Sequence, residues 1–217
     1  MSVVNSSAKE IEIIMVKKKI ADEVVKKYHY SKSVCNNSQL SFIVKYKGFI
    51  EGAIQFGPSI DSRRVSSSLG LDFGETIEIN RMALSDNLPK NSESRVIGFC
   101  IRFIKKNYPK IKAIISFADA CQCGDGTIYR ASGFVLNSIK KNDTMRLLPN
   151  GKIVANLNFK LKKDLRFDGY LLSDTVPLDG YQLRYVYKID KNMKIKEIPF
   201  NSIPEDVRMK KGIKLSR

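Results

Sequence analysis

A carboxylate and a phenol with the spacing of active-site groups lie in one stretch of the chain, 116–134. The apolar run from Ala113 to Ala118 ends on Asp119, a Cys- and Gly-rich loop follows, and Tyr129 comes soon after. This order predicts a strand, a loop and a helix start, so Asp119 and Tyr129 would share one sheet edge. There a carboxylate can accept a proton and a phenol can donate one. Alternatively, both residues are structural: the Asp119 carboxylate hydrogen-bonds the backbone of its own turn, and Tyr129 is a half-buried packing residue.

Two further side chains can do chemistry. His29 is the only histidine in the sequence, so any imidazole chemistry must use it, as a base near neutral pH or as a metal ligand. Alternatively, it contacts the last carbonyls of a helix that ends there. Arg81 carries a fork of N–H donors that matches a phosphate or a carboxylate. The alternative role for Arg81 is a surface ion pair with Glu78 or Asp86.

Cys121 and Cys123 follow Asp119 closely and are separated by one residue. Thiolates at this spacing can bind a soft or borderline metal ion. Two thiols do not complete a site, so a metal would need His29 or Asp119 as a further ligand.

The elements that must position these residues alternate between strand and helix patterns. Apolar alternation and short apolar runs predict strands at 11–14, 40–46, 49–56, 76–84, 113–118 and 183–189. Helical spacing predicts a helix over 17–28 and another that Asn91 or Ser92 caps and that ends before Pro109. Lys47-Gly48 predicts a tight hairpin turn. The Ser-, Arg- and Gly-rich segment 59–74 is predicted to be a mobile loop near the substrate.

Composition narrows the class of protein. The 217 residues are 43% hydrophobic, enough for one substantial core, so we expect a single domain. No apolar run is long enough to span a membrane, and Met1–Ala8 lacks the core of a signal peptide. The four cysteines show no C-x-x-C pair and no disulfide framework. We therefore expect a cytoplasmic protein without membrane contact.

The charge balance points to a polyanionic partner. There are 38 Lys and Arg against 22 Asp and Glu, a formal net charge of +16, and such an excess favours nucleic acid. Lys105 and Lys106 lie in the acid-free segment 102–112 and are expected to contact DNA. The alternative is a solvated helix face. Further basic residues follow at 140–166 and in the terminal segment, which contains Arg208, Lys210, Lys211, Lys214 and Arg217.

The order of elements resembles the GNAT acetyltransferase fold, an α/β (α+β) architecture with a mixed central sheet flanked by helices. The segment Gly126–Phe134 is similar to the late helix in which GNAT enzymes often place a Tyr as general acid. Acetyl-CoA users carry a glycine-rich loop before their central helix, whose backbone amides hold the pyrophosphate. Here 91–98 contains only Gly98, inside the predicted helix. We therefore expect no use of acetyl-CoA.

Several short blocks resemble the Mom family of phage DNA-modification proteins over most of the chain, from about residue 20 to 189. The blocks are Tyr28-His29-Tyr30-Ser31, 49–57, 78–82, Ser94-Arg95, Ser116-Phe117-Ala118-Asp119, 126–129 and 180–187. The resemblance implies a GNAT-like fold and conversion of adenine in duplex DNA to N6-carbamoylmethyladenine, which protects phage DNA from restriction. It also implies a phage-encoded or prophage-encoded protein acting in the bacterial cytoplasm.

By this resemblance, the site residues fall into three groups. The implied catalytic residues are His29, Tyr30, Arg81, Ser116, Asp119 and Tyr129. Ser94 and Arg95 are the implied substrate-binding residues, and the charge pattern, not the resemblance, adds the basic pair Lys105 and Lys106. The family also implies iron, for which His29, Asp119 and Cys123 are the candidate ligands, although the loop after Asp119 lacks the His that many members have there.

Two other functions remain open from the sequence. A GNAT-type N-acyltransferase acting on a protein or a small amine would keep the fold and Tyr129. A non-catalytic DNA-binding module would use only the basic surface. The group donor, a small molecule or an aminoacyl compound, is not readable from the residues. We expect the modification domain to span 1–190 and a basic C-terminal tail to span 191–217.

Overall fold

A computed structural model of the protein describes residues 8–122 and 124–209. Cys123 and the tail residues Lys210, Lys211, Lys214 and Arg217 lie outside the described residues. The strands are β1 (Glu12–Met15), β2 (Leu40–Tyr46), β3 (Phe49–Gly57), β4 (Thr76–Leu84), β5 (Ala113–Asp119), β6 (Val135–Lys141), β7 (Met145–Leu147), β8 (Ile153–Ala155), β9 (Arg166–Phe167), β10 (Tyr170–Leu171), β11 (Val176–Pro177) and β12 (Tyr181–Lys188). The α-helices are α1 (Lys18–Tyr28), α2 (Ser62–Ser67), α3 (Ser92–Asn107), α4 (Thr127–Ala131), α5 (Asn156–Lys160) and α6 (Glu205–Met209).

Seven strands form one mixed sheet in the order β1-β2-β3-β4-β5-β12-β6. Every neighbouring pair is antiparallel except β4 and β5, which run parallel. Helices cover both faces of this sheet. The predicted α/β architecture with a mixed central sheet is confirmed.

Each long helix buries one apolar stripe on a different face of the sheet. On α1, Ala21, Val24 and Val25 recur at helical spacing and pack against Ile43 and Ala53. The stripe of α3, with Val96, Ile97, Cys100 and Ile104 all buried, joins the main core on the other face. We call these the α1 face and the α3 face.

The parallel pair β4 and β5 separates along its length. The two strands are paired only at Thr76–Glu78 and Ala113–Ile115, although β4 continues to Leu84 and β5 to Asp119. Beyond the paired residues, β4 stays bonded to β3 and β5 to β12. The sheet therefore splits into two wings, and a gap opens between the C-terminal halves of its central strands.

A small second layer is inserted between β6 and β12. Residues 142–180, which we call the insertion, form a three-stranded sheet in the order β11-β7-β8 and a separate β9-β10 pair. Leu148, Val154 and Phe159 make its own buried cluster. The local sequence patterns do not predict this layer.

Two segments differ in character from the sequence-based expectations. The segment 59–74, expected to be a loop, contains α2, because the Asp61 carboxylate accepts a hydrogen bond from Arg64 N–H and caps that helix. Residues 191–209 of the expected tail lie against the domain, with Ile203 and Val207 buried in the main core. The 190/191 boundary itself stays a prediction.

Candidate active site

A large open cavity of about 1600 Å³ occupies the gap between β4 and β5. The lining comes from the ends of both strands, the segment after α1, the loop that leads into α4 with α4 itself, and the insertion, together with Ile60, Gln182 and Arg208. His29, Tyr30, Arg81, Asp119 and Tyr129 are all among the lining residues. The structure thus brings five of the six predicted catalytic residues to one cavity.

A β-bulge at Asn80 directs Arg81 towards this cavity. In the β3–β4 pairing, Gln55 is opposite Arg81 and Phe56 is opposite Ile79, so Asn80 is the extra residue. Ile77 and Ile79 pack in the main core on the α3 face. Because the bulge adds one residue, the alternation of side chains reverses, and Arg81 lies on the α1 face, as Ala83 does.

Asp119 ends β5 with both carboxylate oxygens hydrogen-bonded. Gln122 Nε2 donates to it at 2.6 Å, Gln182 Nε2 at 3.1 Å and the Cys121 N–H at 3.1 Å. Gln182 is the residue directly opposite Asp119 on β12. These donors fix the carboxylate, which is 9% exposed, at the wall of the cavity.

The loop between Asp119 and α4 is held by β12 and by α4 itself. The Tyr185 hydroxyl and an Arg130 guanidinium N–H both donate to the Asp125 carbonyl oxygen. Arg130 also forms an ion pair with the Asp125 carboxylate at 3.1 Å. Gly126 lies against the Tyr185 ring so closely that a Cβ would overlap it, and its φ of 74° favours glycine. The 180–187 block thus positions both ends of the active-site loop.

Tyr129 belongs to the single helical turn of α4. Its ring lies 5.6 Å from the Tyr185 ring and 5.8 Å from the Phe134 ring. Tyr129 packs against the main core on the α3 face and also lines the cavity. The cavity therefore passes through the gap in the sheet, with Asp119 and Tyr129 as two of its walls.

His29 follows α1 and is nearly buried. Ser31 N–H donates to its Nδ1 at 3.2 Å, and the Ser31 hydroxyl lies 2.8 Å from the same nitrogen. Because Nδ1 accepts this backbone hydrogen bond, Nε2 carries the hydrogen of the neutral ring. Burial lowers the pKa of His29 to about 4, with a further contribution from the charge of Arg81. The neutral imidazole stacks on Tyr30, with 4.3 Å between ring centroids.

Arg81 is oriented by two backbone carbonyls. Its Nε donates to Ser33 at 2.9 Å and its Nη1 to the Asn80 oxygen at 2.8 Å. A guanidinium has five N–H donors, so these two bonds fix the group and leave donors for an anion. No Asp or Glu forms an ion pair with Arg81 among residues 8–122 and 124–209.

Glu78 is a cavity residue that the sequence analysis considered only as an ion-pair partner. It lines the cavity from β4, and burial raises the pKa of its carboxyl above the usual value. The nearby polar groups of Ser59 and Asn80 and the charge of Arg81 oppose this rise in pKa. A carboxylate with a raised pKa is a better proton acceptor than an ordinary one. Its place in the 78–82 block that resembles the Mom family was the available signal in the sequence.

Phe117 is another cavity residue for which the sequence predicted no role. It lies two residues before Asp119 on the same face of β5 and is 40% exposed. With Tyr30, which is 45% exposed, it gives the cavity two exposed aromatic rings. Flat rings of this kind can stack on a nucleobase.

Ser116, Ser94 and Arg95 do not line the cavity. Ser116 lies on the opposite face of β5 from Asp119, between Ile114 and Ala118 of the main core, and is fully buried. Ser94 and Arg95 lie in the first turn of α3, where the Ser94 hydroxyl donates to the Asn91 carbonyl oxygen. Their predicted roles stay predictions.

Lys105 and Lys106 lie at the other end of the sheet. The Lys105 ammonium is 5.6 Å from the centre of the Tyr187 ring, and Tyr187 is opposite Ile114 at the start of β5. Asp119 is five residues further along that strand, a span of about 17 Å. A DNA contact of this pair stays a prediction, and it would lie outside the cavity.

The comparison with protein families decides the classification. A model described as the Mom protein family matches residues 10–205. The chain belongs to the Mom family. A curated relative, the protein named methylcarbamoylase mom of Escherichia phage Mu, is 35% identical over 136 residues. The match covers 61% of this chain and 55% of the relative, so the chain spans about half the length of that protein.

The fold of this Mom family member is that of GNAT acetyltransferases. A solved IAA acetyltransferase from Bacillus cereus superposes with a TM-score of 0.50, 12% identity, and coverage of 82% of this chain and 99% of the other. An acetyltransferase of Bacillus subtilis solved with CoA gives a TM-score of 0.47 at 13% identity, over 83% and 98% of the two chains. At these identities the likeness concerns the fold alone.

The iron implied by the Mom family can be tested against the donor set. Among residues 8–122 and 124–209, no group of three or more His, Cys, Asp and Glu is placed to hold a metal ion. The Asp119 oxygens already accept three N–H bonds, and His29 Nδ1 accepts another. Of the three candidate ligands, Cys123 lies outside the described residues. The described residues thus do not fit a metal site.

The longest of the α-helices in the described chain is α3, with 16 residues. Not one of them combines the length and the apolar character needed to cross a bilayer.

Proposed function

We propose that the protein is a phage DNA-modifying transferase that converts adenine in duplex DNA to N6-carbamoylmethyladenine and so protects the DNA from restriction. The observation that carries the proposal is the cavity between β4 and β5, where a Mom family chain exposes Arg81, Asp119 and Tyr129 together. The name of the phage Mu relative, a methylcarbamoylase, supports the type of group transferred.

The size of the cavity supports a nucleotide together with a second substrate. Pockets for one small ligand usually measure about 300–1000 Å³. The volume here, about 1600 Å³, exceeds that range and leaves room for an extruded adenine beside a group donor. The amine of adenine is inaccessible to such chemistry inside the stack, so an enzyme must flip the base out. The exposed rings of Tyr30 and Phe117 offer surfaces on which it can stack.

The proposed reaction is a substitution at the adenine amine. N6 forms a bond to the methylene carbon of the transferred group, the leaving group of the donor departs with its bonding electrons, and N6 releases a proton. Asp119 and Glu78, two of the carboxylates at the cavity, can accept this proton. The free N–H donors of Arg81 and the Tyr129 hydroxyl are suited to stabilise the negative charge that develops on the departing group. We assign neutral His29 an orienting role, because its low pKa makes it a weak base.

The decisive experiment is mass spectrometry of nucleosides from the DNA of bacteria that express the chain. We expect a modified deoxyadenosine whose added mass equals a carbamoylmethyl group. Cells that express Asp119→Asn at equal soluble yield are the control, because that variant keeps the shape of the side chain and removes the basic oxygen. Unmodified deoxyadenosine with folded wild-type protein would overturn the proposal. In that case DNA binding would favour the non-catalytic module, and acyl transfer to amines would favour the acyltransferase.

A further inference from the structure

A short exposed segment of the insertion combines apolar and basic side chains at the cavity mouth. This segment, residues 157–165, which we call the insertion ridge, comprises most of α5 and the turn after it. It exposes three leucines, three lysines and one acidic residue: Leu157, Leu161, Leu165, Lys160, Lys162, Lys163 and Asp164. Leu161 is 73% exposed. None of the three lysines forms an ion pair with any residue in 8–122 or 124–209.

The ridge is anchored to the packed core of the insertion. Phe159, in its centre, is 1% exposed and packs with Leu148 and Val154 in the core of the insertion. The Phe159 and Phe167 rings are 6.1 Å apart. Leu165 has a φ of 55°, a left-handed conformation that a leucine rarely adopts, and its N–H bonds to the Lys162 carbonyl oxygen. Because Phe159 is buried in the core of the insertion, the segment is held with its three leucines outside that core.

The ridge lies beside the candidate active site. Leu157, Asn158 and Lys160 line the same cavity as Asp119 and Arg81. A duplex that delivers a base into this cavity must approach through its mouth, where the ridge is exposed. Lysines without acidic partners suit phosphates, and protruding apolar side chains can enter a DNA groove and separate base steps. Neither property alone would identify a partner, but their combination fits duplex DNA.

We infer that the insertion ridge is the surface that docks duplex DNA, with Lys160, Lys162 and Lys163 on the phosphate backbone and Leu161 in the space vacated by the extruded adenine. This inference rests on the proposed function. It differs from the sequence-based expectation, which placed DNA at Lys105 and Lys106. It also gives the insertion a role in substrate binding.

The lysine contacts are tested by binding a labelled random-sequence duplex over a range of salt concentrations. A variant with Lys160→Ala, Lys162→Ala and Lys163→Ala should bind roughly tenfold or more weakly, and the slope of log affinity against log salt should fall by about three. The matched control replaces Lys191, Lys194 and Lys196 with Ala. It removes the same charge from an exposed segment at the far end of the sheet, where Lys191 lies 5.2 Å from the Tyr187 ring. Equal losses in the two variants would overturn the inference.

The leucine contact is tested with Leu161→Ala on two duplexes that differ in one adenine. In a fully paired duplex, extrusion leaves a gap that Leu161 fills, so the variant should bind less tightly than the wild type. In a duplex with a single bulged adenine, the base is already outside the stack, so the variant and the wild type should bind alike. Equal loss on both duplexes, or no loss on the paired one, would contradict the wedge role. Circular dichroism and thermal unfolding of each variant confirm that the fold is retained.

The inference and the proposed function fail in different ways. If the wild type modifies DNA but the ridge variant and its matched lysine control lose the same DNA affinity, the inferred docking surface is wrong and the proposed function stands. If the wild type binds DNA through the ridge but leaves adenine unmodified, the docking surface stands and the function is wrong. If the wild type does not bind DNA, both are wrong.

Discussion

Gln182 and Asp119 occupy directly opposite positions on β12 and β5, and the Gln182 side-chain amide donates a hydrogen bond to the Asp119 carboxylate at 3.1 Å. Their backbones are neighbours in the sheet, so the bond needs no movement of a loop to form. Gln182 is therefore a positioning residue for the carboxylate that we place at the centre of the proposed reaction.

Gln182→Leu should reduce DNA modification about tenfold and lower the Tm by several degrees, while DNA affinity stays near wild type. Hydrogen bonds to charged groups contribute about 1.5–3 kcal/mol, and this one fixes the carboxylate rather than the substrate. Modified deoxyadenosine, duplex affinity and Tm are the three measurements. Gln39→Leu, the same change at an exposed residue before β2, is the control. A parallel loss of DNA affinity would show that Gln182 acts on binding instead.

Asp119→Asn and Tyr129→Phe should each reduce modification by about a hundredfold or more, the usual range for losing an acid or a base. Asp119→Asn keeps the shape of the side chain and one acceptor oxygen, which can retain the bonds from the Cys121 N–H and Gln182, but removes the second, basic oxygen. Tyr129→Phe removes only the hydroxyl from a packed ring. Both variants should still bind duplex DNA, because the lysines are untouched. Full modification by both, at normal folded yield, would exclude them as the catalytic pair.

Most of the main sheet follows from local sequence patterns. The hairpin is the clearest case: Lys47 and Gly48 both have positive φ, 50° and 84°, as a tight turn between two alternating strands requires. The first helix and the run that ends on Asp119 are also as predicted, because apolar periodicity decides them. The Mom family blocks then selected five residues that line one cavity.

Other features depend on contacts that no local pattern records. The bulge at Asn80 reverses the facing of Arg81, and only the register against Gln55 reveals it. Lys105 was predicted to contact DNA because its segment lacks acidic residues. The charge of a segment, however, does not show at which end of the sheet the helix ends.

The binding assay described for the insertion ridge also tests the double variant Lys105→Ala with Lys106→Ala. We expect it to lose less DNA affinity than the ridge variant.

Acetyl-CoA should bind weakly or not at all. Pyrophosphate binding needs several close backbone amides at the start of the central helix. At the start of α3, the Ser92 and Ser94 hydroxyls donate to the Pro89 and Asn91 carbonyls, and Gly98 lies within the helix. Isothermal titration calorimetry measures this directly. Micromolar affinity would contradict it and would favour the acyltransferase.

Glu78→Gln should decrease modification by about a hundredfold and at the same time stabilise the protein at neutral pH. Burial raises the pKa of Glu78, so its ionised form is disfavoured in the folded state. Its contribution to stability is therefore present at low pH and is lost as the pH rises through the folded-state pKa. The variant avoids that loss, so its Tm should exceed that of the wild type at pH 7 and approach it in acid. A lower Tm at pH 7 would show that the ionised carboxylate is stabilising.

His29 should make the protein less stable as the pH falls from about 6.5 to 4. Its pKa is lowered to about 4 in the fold, mainly by burial, against an ordinary value of 6.5. The unfolded chain therefore binds a proton in this window that the folded chain does not, and about 3 kcal/mol of the free energy of unfolding is lost across it. Urea unfolding at several pH values measures the loss of unfolding free energy. Subtracting the same measurements for His29→Gln removes the contribution of the titrating carboxylates. Because the chain has one histidine, its ring resonance in an NMR titration reports the same pKa without ambiguity, and a midpoint near 6.5 would show that the ring is solvated.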